Sequence, residues 1–267
     1  MLNIEASVTV EGCDVHYWDT GGDGTAVVFS HGAGADHLMF RPQVEHLAGH
    51  GYRVVTWDLR GHGRSRPGGA PFTAERAAGD LVALLDHLEL ERPVLAGQSL
   101  GGNLAQAVVR QRPGRARGLI VMDSTCNTGP LSRAERVLLR AALPVLSVIP
   151  ARRLPAMMAN ASAVTDQGRA YALRVFGQLP KQEFLAAWRA TVELVDPDPA
   201  YRTPVPLCLI RGERDRTGNI ATAMPRWARA EGIQETVIPG AGHLVNLDAP
   251  GAVNSAILAF LRTGLES

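Results

Sequence analysis

Paired cysteine is missing from this chain: Cys13, Cys126 and Cys208 are an odd, widely separated set with no C-x-x-C spacing. Free thiols are therefore expected, not a disulfide framework or a thiolate metal site. No run of 18 or more apolar residues occurs, which removes a membrane-spanning helix from consideration. The stretch Met1-Leu2-Asn3-Ile4-Glu5-Ala6 has no basic segment ahead of an apolar core, so no secretory leader is expected. Lysine is almost absent, Lys181 standing alone among abundant arginines, which reads as coding bias and carries no functional meaning. There is no block of like charge, and the formal net charge is +1, so neither nucleic acid nor an anionic membrane surface is an expected partner. Internal repeats and low-complexity segments are also lacking. These absences leave a cytoplasmic protein acting on a small, neutral molecule without a cofactor or metal; a homodimer stays open.

What is present is enough apolar residue to build a sizeable core. The chain has 267 residues, 46% hydrophobic and 20% charged, consistent with one α/β domain carrying an insertion. Ser7–Glu11 and Val15–Trp18 alternate as half-buried strands and form an opening hairpin around Gly12. Ala26–Ser30, Tyr52–Trp57, Val94–Ala96, Gly118–Asp123, Val205–Ile210 and Thr236–Ile238 are continuous apolar runs of the kind buried on both faces. Helical patterns separate them: Pro42–His50, Thr73–Leu90 with Thr73 as cap, Leu104–Arg112, Asn219–Ala230 and a closing helix Ala249–Leu261. Strands alternating with helices in this rhythm predict a parallel sheet covered on both sides.

Between residues 127 and 200 the strand pattern stops. Helices are expected over Leu131–Val148 with a break at Pro144, Leu154–Ala163, Asp166–Gly177 and Pro180–Val195, with Pro180 in the first helical position. The expected organisation is a core domain of residues 1–126 and 201–267 with a helical cap, or lid, over 127–200.

The chemistry centres on Gly97-Gln98-Ser99-Leu100-Gly101, a G-x-S-x-G between a buried strand and a helix. A serine at such a turn has a strained backbone, and the residues two before and two after it must be small. A glycine-rich turn without chemistry is the plain alternative, so partners decide. A serine hydroxyl needs a base to take its proton and a carboxylate to orient that base. Groups after strands gather at the carboxyl ends of a parallel sheet, and Asp215 and His243 lie there in the order serine, acid, histidine. Asp123, also at a strand end, is the alternative acid. His31, His37 and His62 are rival bases in loops on the same side, with a structural loop role favoured for His62. His16, His46, His50 and His87 fall in strand or helix patterns as surface or packing residues.

An oxyanion forming on the substrate needs two backbone N–H donors, one following the nucleophile and one after the third strand. Leu100 and Ala33, the latter within His31-Gly32-Ala33-Gly34, are the candidates, and Gly34 could replace Ala33. A phosphate-binding loop is disfavoured, since no G-x-G-x-x-G or Gly-Lys pattern is present.

These motifs, with Asp58-Leu59-Arg60-Gly61-His62-Gly63-Arg64-Ser65, Gly212-Glu213-Arg214-Asp215 and Gly240-Ala241-Gly242-His243, make the chain resemble the α/β-hydrolase superfamily from about Val8 to Phe260. The resemblance implies an eight-stranded, mostly parallel sheet flanked by helices, a cap inserted after the sixth strand, and Ser99, Asp215 and His243 as nucleophile, acid and base. Members with aspartate as nucleophile, such as haloalkane dehalogenases and epoxide hydrolases, are disfavoured by Ser99. The remaining cap-bearing group includes carboxylesterases, enol-lactonases, carbon–carbon bond hydrolases and cofactor-free haloperoxidase-like perhydrolases. Ester or lactone hydrolysis through an acyl-enzyme on Ser99 is the expected activity; a hydrolase-fold small-molecule receptor is the alternative from another class. Leu143, Val145, Leu146, Met157, Met158, Phe176, Phe184, Leu185, Trp188 and Val192 are candidates to roof an apolar pocket. Arg152 and Arg153 read as a solvated face before a carboxylate site.

Overall fold

A two-residue turn joins the first two strands. In the computed structural model, which describes residues 4–265, β1 (Ile4–Val10) and β2 (Cys13–Asp19) pair antiparallel across Glu11 and Gly12. Both turn residues have positive φ, 46° and 75°, as a primed hairpin turn requires to match strand twist. Met1 to Asn3, part of the stretch read for a leader, lie outside the described residues.

The remaining strands are β3 (Ala26–Ser30), β4 (Arg53–Trp57), β5 (Val94–Gln98), β6 (Gly118–Met122), β7 (Leu207–Gly212) and β8 (Thr236–Ile238). They form one eight-stranded sheet in the order β1-β2-β4-β3-β5-β6-β7-β8, parallel from β4 to β8. The helices are α1 (Arg41–Ala48), α2 (Ala74–His87), α3 (Leu100–Gln111), α4 (Arg133–Val148), α5 (Leu154–Ser162), α6 (Asp166–Gln178), α7 (Lys181–Glu193), α8 (Ile220–Glu231), α9 (Val245–Asp248) and α10 (Pro250–Ala259).

The continuous apolar runs are explained by alternation within each strand. Val28, Val55, Leu95, Leu119 and Val121 enter one core with Leu81 and Leu85 of α2, Leu104 of α3 and Met224 of α8. Their neighbours Val27, Phe29, Val54, Val94, Ala96, Ile120 and Met122 enter a second core with Leu47 of α1 and Val253 and Ile257 of α10. A strand buried on both faces has no polar side to show, hence its unbroken hydrophobic sequence.

Four helices, α4 to α7, separate β6 from β7. α4 starts with a full capping box between Ser132 and Glu135, and Pro144 lies within it without ending it. Tyr171 of α6 donates to Asp36 Oδ1 at 2.9 Å, and Arg174 pairs with Asp36 Oδ2 at 3.3 Å. Asp248 of α9 accepts bonds from the backbone N–H groups of Val164 and Thr165. The inserted helices are thus tied to the segments that follow β3 and β8.

Several expectations shift. α3 begins at Leu100, four residues before the apolar periodicity, because Gly101 and Gly102 are helical residues at a close backbone approach. Pro180 and Asn219 cap α7 and α8 from outside the first turn. The last helix, expected over Ala249–Leu261, runs from Pro250 to Ala259 and continues as a π-turn over Phe260–Gly264. α9 had no periodic signal, being four residues long. No helix among the described residues is long and apolar enough to cross a membrane.

Candidate active site

The strand order reverses between β3 and β5: the chain passes from β3 outward to β4, then returns to the other side of β3. Such a switch point opens a crevice beyond the strands' carboxyl ends, between the loops after β3 and β5. Ala33 and Ser99 lie in those two segments and line the same cavity.

Ser99 has φ 52° and ψ −121°, a conformation that a non-glycine residue adopts only under constraint. The constraint is visible. A Cβ on Gly101 would run into the Ser30 carbonyl, and one on Gly97 into the backbone of Gly101, so strand, turn and helix can meet this closely only without those side chains. The Ser99 N–H donates to the Met122 carbonyl at 3.0 Å, and its C=O accepts from Asn103 N in the first turn of α3. The serine is thereby held at the helix N-terminus, half-buried, with its backbone committed on both sides.

Asp215 and His243, 28 residues apart, meet after β7 and β8: His243 Nδ1 lies 3.0 Å from Asp215 Oδ2. With Nδ1 engaged, Nε2 is the ring nitrogen left for chemistry. Both His243 and Ser99 line a narrow cavity, and no hydrogen bond joins Ser99 Oγ to the imidazole among the described residues. Asp215 is fully buried. Burial pushes its carboxyl upward, but the imidazole of His243 and the Thr217 N–H, 2.8 Å from Oδ1, outweigh burial and hold it below the usual carboxylate range.

Asp123, the alternative acid, lies elsewhere in the same network. It accepts from Gly212 N at 2.8 Å and from Val245 N at 3.2 Å, and the charge of the Asp215 carboxyl acts on it. Full burial, then the charge of Asp215, raise it well above the ordinary carboxylate range, the opposite direction from Asp215. Its backbone is also strained, with φ 41°. It has no bond to His243 among the described residues.

The rival histidines are otherwise engaged. His31 uses both ring nitrogens, one on the Gly32 carbonyl and one accepting from Leu59 N, and burial pushes it down to about 4. His37 bonds Asp58 through Nδ1 and stacks on Trp18. His62 bonds the Arg60 carbonyl and is pushed by burial down to about 3. Asp58 receives the N–H groups of His37 and Arg64, which makes the Asp58–Ser65 motif a buried loop scaffold.

The Ala33 and Leu100 N–H groups have no hydrogen-bond acceptor among the described residues. Ala33 lines both cavities at Ser99, whereas Gly34 lines neither and is packed against Phe176. One residue that sequence reasoning overlooked is Gln98, whose Nε2 donates to the His243 carbonyl at 2.7 Å and anchors the histidine loop to β5. Its place beside the nucleophile was the only signal.

The larger cavity, about 490 Å³, is walled by Leu131, Leu138, Leu139 and Ala142 of the α4 region, Trp188 and Val192 of α7, and Ile220. The narrower, about 30 Å³, is enclosed by Met158, Tyr171, Phe176, Phe184, Trp188 and Leu244 beside His243. Of the expected roof residues, Leu143, Val145, Leu146, Met157 and Leu185 line neither. Val145 and Met157 point to solvent and Leu146 into the core, since the phase of a helix against its neighbours cannot be read from composition. Arg152 and Arg153 are exposed and line neither cavity.

Comparison with known proteins agrees with this architecture. The alpha/beta hydrolase family description matches residues 27–256. A protein named haloalkane dehalogenase 2 from Mycobacterium tuberculosis is 30% identical over 262 residues, covering 91% of this chain and 90% of its own. A thermophilic esterase from Thermogutta terrifontis superposes with a TM-score of 0.78 at 27% identity, covering all of both chains. The enol-lactonase of Burkholderia xenovorans LB400 superposes with a TM-score of 0.80 at 22% identity, covering 96% of this chain and 99% of that one, a likeness of fold.

Proposed function

Because the chain belongs to the alpha/beta hydrolase family, we propose that it is a serine hydrolase cleaving carboxylic ester or lactone bonds of small, moderately apolar substrates. The observation that carries this reading is the buried Asp215–His243 hydrogen bond beside the strained Ser99, with Ser99 and His243 lining one crevice and Asp215 buried behind the imidazole. Ser99 Oγ attacks the carbonyl carbon while His243 Nε2 takes its proton. Asp215 holds the Nδ1–H tautomer and stabilises the imidazolium. The oxyanion is received by the N–H groups of Leu100, at the N-terminus of α3, and of Ala33, in the loop after β3. Collapse of the tetrahedral intermediate expels the alkoxide, which takes the proton from His243. Water, deprotonated by His243, then attacks the acyl-enzyme carbonyl, and as the acid leaves, Ser99 Oγ takes the proton back from His243. The helices α4 to α7 serve as the cap that shields the crevice.

A relative of this chain is named a dehalogenase, and chemistry argues against that activity here. Displacement of a halide by Ser99 would form an alkyl ether, which has no carbonyl for water to attack and would end turnover. The same nucleophile on an ester or lactone forms an acyl ester that water can open.

The test is hydrolysis of short and medium p-nitrophenyl esters by the wild type and Ser99→Ala, with fluorophosphonate labelling. Multiple turnover that is lost in Ser99→Ala, with the label on Ser99, is expected. Unlabelled Ser99 and equal rates for the two proteins would overturn the triad assignment and favour a ligand receptor.

A further inference from the structure

Ser99 stands where two cavities of very different size meet, and only one of them contains the base. Both are lined by Ala33, Ser99, Trp188 and Thr217. The one beside His243 is about 30 Å³ and is pinched by an aromatic row, Phe176 against Phe184 at 5.9 Å and Phe184 against Trp188 at 6.2 Å between ring centroids. Phe176 and Phe184 are buried, so the row has little freedom to retreat. The other is about 490 Å³, mainly apolar in its surface with Glu135, Asn103 and Asn219 also in its wall, and does not include His243.

The reaction itself orients a substrate between them. The proton that His243 takes from Ser99 must go to the departing alkoxide oxygen, so the leaving group has to lie on the histidine side. The carbonyl carbon is bonded to Ser99 with its oxygen toward Ala33 and Leu100, and its acyl chain must leave in the remaining direction. We infer that the protein selects esters of a large, apolar acyl group with a small alcohol, the acyl chain filling the cavity under α4 and the alcohol confined beside His243. Trp188, common to both, is the partition that sets this selectivity. The inference rests on the acyl-enzyme reading above.

The physical basis is transfer of methylene groups from water to apolar walls, which favours whichever end of the ester enters the larger space. A long alcohol meets rigid aromatic rings instead, where overpacking opposes binding.

The experiment compares methyl heptanoate with hexyl acetate, isomers of equal carbon content that exchange the long chain between acyl and alcohol. Acid release is followed by pH-stat titration of the intact protein. Expected is a kcat/KM at least ~10-fold higher for methyl heptanoate. Equal values, a preference for hexyl acetate, or no hydrolysis of either by protein that a fluorophosphonate labels at Ser99 would overturn the orientation. Absence of both hydrolysis and label would instead overturn the serine hydrolase reading beneath it. Two variants extend the comparison: Leu139→Trp, which fills the large cavity, lowers the ratio of methyl heptanoate to hexyl acetate turnover, and Trp188→Ala, which opens the partition, lowers it by admitting the hexyl group. A ratio unchanged in both contradicts the proposal.

Discussion

Replacing Asp123 with asparagine tests whether one carboxyl of the buried acid pair is neutral in the folded protein. Asp123 and Asp215 are both fully buried, and the charge of one raises the other, so two like charges in that setting are strongly disfavoured. Asp123 is the member raised, by burial first and then by Asp215; Asp215 is lowered by its imidazole partner. In the unfolded chain Asp123 titrates near the ordinary value of about 3.9. The sign follows from linkage. A group raised on folding contributes stability fully below its unfolded pKa, and that contribution declines as pH rises toward the folded pKa, because folding must then take up a proton. In that window the decline is about 1.4 kcal/mol per pH unit, the value of one bound proton. Asparagine has no proton to take up. It can donate to Asp215 and accept from Gly212 N, but its amide faces the Val245 N–H, a lost bond costing about 1–3 kcal/mol. Urea unfolding of both proteins at several values between pH 5 and pH 8 measures the difference, with other titrating groups cancelling. The variant should be the less stable at pH 5, and the gap should narrow or reverse by pH 8. Parallel stability curves across that range would refute a protonated Asp123.

Asp215→Asn leaves an acceptor or donor of the same size beside His243 but favours the wrong tautomer, so kcat for an activated ester should fall by about 10³–10⁴ with the fold intact by circular dichroism. A loss below tenfold would move the acid role away from Asp215. Gln98→Leu removes the only side chain that bonds the His243 carbonyl among the described residues; unfolding should cost about 1–3 kcal/mol and kcat should fall more than KM rises, as the base loses its registration. Unchanged kinetics in that variant would show that the histidine loop is positioned without it.

Local chemistry is what the residues alone can specify. The doubly buried strands, the G-x-S-x-G elbow and the order Ser99, Asp215, His243 are legible because they arise from periodicity, from the absence of side chains at Gly97 and Gly101, and from the position of each group after a strand. The fold class and the family follow from the same marks. Contacts between distant segments are not encoded in any local pattern. Asp123 stands as the alternative acid behind Asp215 in the sequence, and the tertiary structure turns its carboxyl onto Gly212 N and Val245 N and leaves Asp215 facing the imidazole. Gln98 has no motif of its own, and its bond spans 145 residues. The rotation of α4, which sends Leu139 and Ala142 to the cavity and Val145 to solvent, is decided by what the helix packs against, since an amphipathic pattern with apolar residues on two sides has no unique inward face. The size of each cavity, and with it the expected direction of an ester in the crevice, emerges only when those packed surfaces meet.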